Sequence, residues 1–257
     1  MLKGNRFLRF LFFLAVSCLL CFCTSPTNKN KGHTDKPDYS STHLLSSKER
    51  KEITNKFLKA HHIPTLPSLP EVEDHSNAHF RRVIDVARRS VILYGVFYVA
   101  RNEKSSAYMI DYFKKYQLWD DVSPSEKKYL LNNSRSEKEN NEMSWRMESL
   151  NVLFWALGVF NELPLPVAGC DFSAYKNLPN LDADPLNWIQ NAKLRNTEDI
   201  LNETDLVYRI HWATTEAGLK NHPKPGGFSE DVIYERHYAL NWLTMYADNW
   251  DEVTTDT

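Results

Sequence analysis

The sequence predicts an all-α fold: a single irregular multi-helix bundle that follows a signal segment and a disordered tether. Three observations carry this. From Ser47 onward, apolar residues recur at the three-and-four spacing of helices. Only 8 of the 257 residues are glycine, against a usual share of ~7%, which argues against glycine-rich phosphate loops and turn-rich β architectures. No run of β-branched residues alternates with polar ones strongly enough to mark a strand. Hydrophobic positions make up 42% of the chain, enough to bury a full core. The 31 Lys and Arg nearly balance 33 Asp and Glu, so the cationic surplus that phosphate backbones require is missing. Nucleic acid is excluded as a partner on that ground.

Residues 1–23 read as a signal peptide. Lys3, Arg6 and Arg9 precede an apolar run from Phe10 to Cys23, with no further charge until Lys29. The run is shorter than the ~20 residues that cross a bilayer as a helix, which favours export and cleavage over a permanent span. Cys18, Cys21 and Cys23 crowd its end, a pattern similar to a bacterial lipoprotein signal. Two cysteines qualify for lipidation: Cys18 follows the small residues Ala15, Val16 and Ser17, whereas Cys23 stands before the polar Thr24, Ser25 and Pro26. The expected location is the cell envelope, on a membrane facing the periplasm or exterior. Simple cleavage and an uncleaved anchor are the alternatives. Cys170 is then the one thiol of the domain, so no disulfide forms within it. It reads as a small buried hydrophobe.

Residues 24–47 are polar, lack an apolar period and read as a flexible linker. The domain itself spans 48–257. Its first helix starts at Ser47 on Ile53, Phe57 and Leu58 and stops before the prolines 64, 67 and 70. A second, about 76–102, is apolar nearly all round in its latter half, as a helix inside a bundle is. Shorter helices are expected over 106–116 and 124–131, the latter opened by the cap Ser123 and Pro124. The third long helix, about 136–161, ends in the run from Leu150 to Phe160 and is the expected core helix. Prolines 164, 166, 179 and 185 make an irregular connection, with Trp188 and Leu194 packing back on the bundle. Helices over 197–219 and 229–249 follow, separated by the stretch from His222 to Gly227.

Polar residues interrupt these apolar faces at Arg146 and Glu148, at Asp205, Tyr208, Arg209 and His211, and at Glu235, Arg236 and His237. A buried charge costs several kcal/mol unless paired, so these groups are expected to meet. Antiparallel packing of the last two long helices would bring the Asp205 and Arg209 face toward Glu235 and Arg236. Two readings stand: a network that only fixes helix register, or a pocket lined by convergent titratable groups. Histidine and carboxylate spacing makes a poor metal site, since Glu235 and His237 point to different helix faces. No cofactor motif is present. Packing accounts better than a ligand platform for Trp145, Trp155, Trp212 and Trp242, all within core helices.

Several separated motifs stand in one order: Trp145 to Leu150, Phe154 to Gly158, Glu198 to Leu201, Asp205 to Ala213, Tyr234 to Trp242 and Trp250 to Thr257. Over about residues 47–257 the chain resembles bacterial domain-of-unknown-function family 4272. That resemblance implies one domain without an assigned activity, and no catalytic residue is carried over from it. The signal segment departs from the family, many of whose members look cytoplasmic. The expected function is a non-enzymatic, envelope-anchored module that binds a protein or small ligand. The alternative is a hydrolase-like enzyme using Glu235, His237 or His211 as acid and base in a polar cleft. Trp250 continues the apolar line of Leu243, Tyr246 and Ala247, so the C-terminus is expected to dock, with Asp251 and Asp256 near basic groups.

Overall fold

Serine caps start four of the helices. Ser46, Ser105, Ser123 and Ser136 each accept a backbone N–H from the first turn that follows. At Ser46, Ser123 and Ser136 a glutamate three residues on returns the bond, completing a capping box. In the computed structural model, which describes residues 36–173 and 175–257, the helices are α1 Ser47–Ala60, α2 Val83–Ala100, α3 Ser106–Lys115, α4 Pro124–Leu131, α5 Glu137–Ala156, α6 Leu186–Gln190, α7 Thr197–Leu219 and α8 Glu230–Leu243. No strand occurs among the described residues. The apolar run expected as a signal, with Cys18 and Cys23, and the first part of the linker lie outside the described residues.

The packing order differs from the chain order. α5 lies between α2 and α8, α7 packs on α8, and α1 packs on α7. Leu150, Val152, Leu153, Phe154 and Ala156 of α5 are fully buried, as expected of a core helix. α3 packs close on α2 at Gly95, where a β-carbon would stand 2.5 Å from Met109 Cε and 2.6 Å from Phe113 Cζ. Only glycine fits that contact without displacing both side chains. No helix of the described residues is long and apolar enough to cross a membrane.

Three boundaries differ from those expected, each through backbone bonds that an apolar count does not register. α2 begins at Val83 rather than near 76, because Asn77 and Ala78 turn onto the Asp74 carbonyl and Arg81 N–H donates to Leu243 O at 3.0 Å. α5 ends at Ala156. Gly158, at φ +68°, closes it with a 3.0 Å bond to Trp155 O, and Val159 N–H reaches Phe154 O, the left-handed C-terminal motif that glycine favours. Arg195 adds further donors there, reaching Trp155 O at 3.1 Å and Phe160 O at 2.9 Å. α8 ends at Leu243 by the same geometry, with Met245 at φ +58°.

The segment read as linker joins the domain before α1. Lys36 pairs with Glu203, Tyr39 Oη lies 2.8 Å from Thr54 Oγ1, and Pro37 and Leu45 are buried. Residues 36–46 form an extended strap across α1 and α7. At the other end, Trp250 is buried beneath Arg89, whose guanidinium sits 5.1 Å from the ring. Its carbonyl accepts from Tyr238 Oη, and Asn241 Nδ2 donates to Thr254 O at 2.8 Å. The C-terminus is therefore docked. Its aspartates go elsewhere than expected: Asp251 accepts from Ser125 N–H and Oγ at 2.8 Å, at the start of α4, where the helix dipole favours a carboxylate. Asp256 accepts from Thr254 Oγ1.

Candidate functional site

Consecutive residues of a helix point about 100° apart, and α8 shows what this does to Glu235, Arg236 and His237. Glu235 faces α5. Its carboxylate accepts from both Arg146 (3.2 Å) and Ser149 Oγ (2.6 Å). Arg236 turns toward the chain after α5, donating to Pro164 O at 2.5 Å and lying 3.6 Å from Glu148 Oε2. Glu148 Oε1 accepts the N–H of Cys170 at 2.5 Å. His237 faces α7, with its Nδ1 2.8 Å from Nδ1 of His211. At that distance one imidazole donates and the other accepts, so the pair shares one bridging proton.

On α7 the acidic and basic groups occupy a different face from His211. Arg209 chelates Asp205 through Nε (3.0 Å) and one terminal nitrogen (2.7 Å), and that nitrogen also reaches Pro70 O at 3.1 Å. The expected meeting of Asp205 and Arg209 with Glu235 and Arg236 does not occur, because the first pair looks toward Pro70 and the second toward α5 and Pro164. Tyr208 lies between the two faces, its ring 5.6 Å from that of His237. The nine candidate residues thus sort into separate small groups rather than one network.

These groups are closed to solvent. Asp205, Glu148, Arg209, Arg236, His237, Glu235 and His211 are between 0 and 6% exposed; Arg146 and Tyr208 are half-buried. Burial raises the pKa of Glu235 against the pull of Arg146. It holds His211 down at about 4 and, with the neighbouring imidazole of His211, His237 at about 3. Both histidines are neutral at pH 7. The Cys170 thiol is pushed up by burial and by Glu148, which makes it a poor nucleophile. Among the described residues, no group of three or more histidines, cysteines, aspartates and glutamates is placed to hold a metal ion.

An open groove lies elsewhere, on residues outside the nine candidates. It has a volume of about 1220 Å3. One wall is the strap, with Lys36, Tyr39 and Leu44; the other is formed by Trp155, Pro164 and Val167 around the end of α5. Glu198, Asn202 and Glu203 of the first turns of α7 form its floor. Leu44 and Val167 stand 61% and 41% exposed on its rim, more than an isolated apolar side chain requires. Arg50 supports the floor from below. Fully buried, it donates to Asn202 Oδ1 (3.0 Å), Glu198 Oε1 (2.5 Å), Glu73 O (3.2 Å) and Leu45 O (3.4 Å). One signal could have found it: Arg50, Thr54 and Leu58 recur every four residues and form the buried stripe of α1.

Neither the curated proteins nor the solved structures include one that matches this chain. The family model described as a domain of unknown function, DUF4272, matches residues 50–253, and the chain belongs to that family.

Proposed function

We propose that this protein is a non-enzymatic binding module of the cell envelope, exported through residues 1–23 and held at a membrane by a lipid on Cys23 or Cys18. The binding part rests on one observation: the acid and base groups are sealed between helices, whereas the groove of about 1220 Å3 beside the strap is open and lined by apolar rim residues and polar floor residues. A hydrolase using Glu235 with His211 or His237 would need those groups on one face at a substrate. Here Glu235 serves α5, and the histidines serve each other.

A thermal-shift panel of peptides and small ligands against the full chain tests this. The expected ligand raises the melting temperature of the wild type and not that of Leu44→Asp with Val167→Asp, two exposed rim changes. Turnover of an ester, amide or phosphate substrate that Glu235→Gln abolishes without unfolding the protein would establish the enzyme instead. Mass spectrometry of the native protein tests export: the expected product lacks the first 17 to 22 residues and carries a lipid on its first cysteine, as the positions of Cys18 and Cys23 require.

A further inference from the structure

The chain between the end of α5 and the start of α7 lines a second cavity, open to solvent, of about 670 Å3, within the ~300–1,000 Å3 range of small-molecule sites. Its chemistry is narrow. Four asparagines, Asn161, Asn177, Asn187 and Asn191, line it together with Trp188 and Lys193, and all four amides are on exposed residues. No aspartate or glutamate is among the described residues that line it.

A carboxamide presents an acceptor and two donors in one plane, matching a pair of neighbouring hydroxyls, each of which both donates and accepts. The amides are partly set in advance: Asn191 Nδ2 donates to the carbonyl (2.8 Å) and Oδ1 (2.9 Å) of Asn187. That leaves Asn191 Oδ1 and Asn187 Nδ2 for a ligand. Trp188 is fixed as well, its indole N–H donating to Asn177 O at 3.0 Å and its ring meeting Phe154 edge-on at 6.1 Å. A rigid indole covers the C–H face of a pyranose ring at little entropic cost. Gly158 lies at the cavity with nothing within 4 Å of the place a β-carbon would take, so main chain is open to the ligand there.

Charge narrows the class. Lys193 is exposed and makes no ion pair with any described residue, whereas Arg195, also at the wall, is committed to Asp199 (3.9 Å) and to the Trp155 and Phe160 carbonyls. One unpaired cation and no carboxylate among the described lining residues favour a ligand with a negative charge. We propose that this cavity is a saccharide site that takes a carboxylated sugar, a uronic acid unit of a glycan. The inference extends the binding-module reading without using the strap, because the two cavities share only Asn161 and Arg195.

Titration calorimetry of the full chain with trigalacturonate and with maltotriose decides it. Trigalacturonate is expected to bind with a Kd near ~0.1–1 mM, about tenfold tighter than maltotriose, and both Lys193→Glu and Asn187→Ala are expected to weaken it about tenfold. Both residues are exposed, so these variants keep the wild-type melting temperature. No binding at about 10 mM, an affinity that neither variant changes, or equal binding of the neutral sugar overturns the assignment. Leu44→Asp with Val167→Asp leaves the sugar titration unchanged, which separates failure at this site from failure at the groove.

Discussion

The interior between α5, α7 and α8 and the groove beside the strap hold the same kinds of residue to opposite effect. In the interior every carboxylate has a cation or a donor of fixed geometry: Glu235 with Arg146 and Ser149, Glu148 with Cys170 N–H, Asp205 with Arg209. Solvent is excluded and the helices are locked in register. In the groove Glu198 and Glu203 are also paired, with Arg50 and Lys36, and Glu203 is as buried as Glu235; what differs is the open space above them, flanked by the exposed Leu44 and Val167. Titratable residues inside a core therefore do not by themselves mark a site: breaking such a pair is costly, yet the pair itself is weak evidence for activity. Access separates the two regions.

The largest effect that can break this comparison is on stability. Asp205→Ala leaves the Arg209 guanidinium buried with little beyond the Pro70 carbonyl, and a loss of about 3 to 5 kcal/mol in urea unfolding is expected. A change below about 0.5 kcal/mol, as at surface positions, would show the interior to be solvated. Truncation after Asn249 removes buried Trp250 together with the Tyr238 and Asn241 bonds, for an expected loss of about 2 to 4 kcal/mol. A truncated protein that melts with the full-length chain refutes C-terminal docking.

A third effect, smaller for each group, depends on pH. His211 and His237 are held at about 4 and about 3 in the fold, below the ~6.5 of an unfolded imidazole. Below pH 6.5 the unfolded chain binds protons that the folded one refuses, so stability is full above that pH and falls on acidification toward 4 and 3. Between pH 7 and pH 5 the loss is about 2 kcal/mol for each histidine. Glu230 opposes the shift at His211, while Tyr208 and Tyr234 face the pair without charge. His211→Gln with His237→Gln is expected to flatten the pH profile of the melting temperature; an unchanged slope would show that the pair does not set it. The smallest effect lies in the groove: Leu44→Asp changes stability by no more than about 0.5 kcal/mol, and a larger loss would make the rim structural.

Much of the fold was legible because helices announce themselves locally. The start of α4 follows from Ser123 and Pro124, and the end of α7 from the break at His222 to Gly227. The early ends of α5 and α8 were not, since Leu157, Phe160, Tyr246 and Ala247 continue an apolar pattern past a left-handed turn at Gly158 or Met245. At the site, sequence marked which polar residues lie inside but not whom they meet. Asp205 and Arg209, four residues apart on one helix, could be paired from spacing alone. Whether they also reached Glu235 depended on the rotation of α7 about its axis, which one chain's periodicity leaves open. The groove was illegible because it is built by a strap of no period, an irregular connection and a helix start distant in sequence.

Arg50 carries a consequence for how the protein is made. Its partner Asn202 lies 152 residues further along the chain, and at ~5–20 residues per second of synthesis α1 waits about 8 to 30 seconds before α7 exists to receive it. Contacts of such long range close late and slow the approach to the native state. The strap can lock once Glu203 is made; the start of α2 and that of α4 wait longer, for Leu243 and Asp251. The groove is thus finished only once the chain has been made through Glu203, and a chain not yet synthesised that far has no groove with which to capture a ligand prematurely.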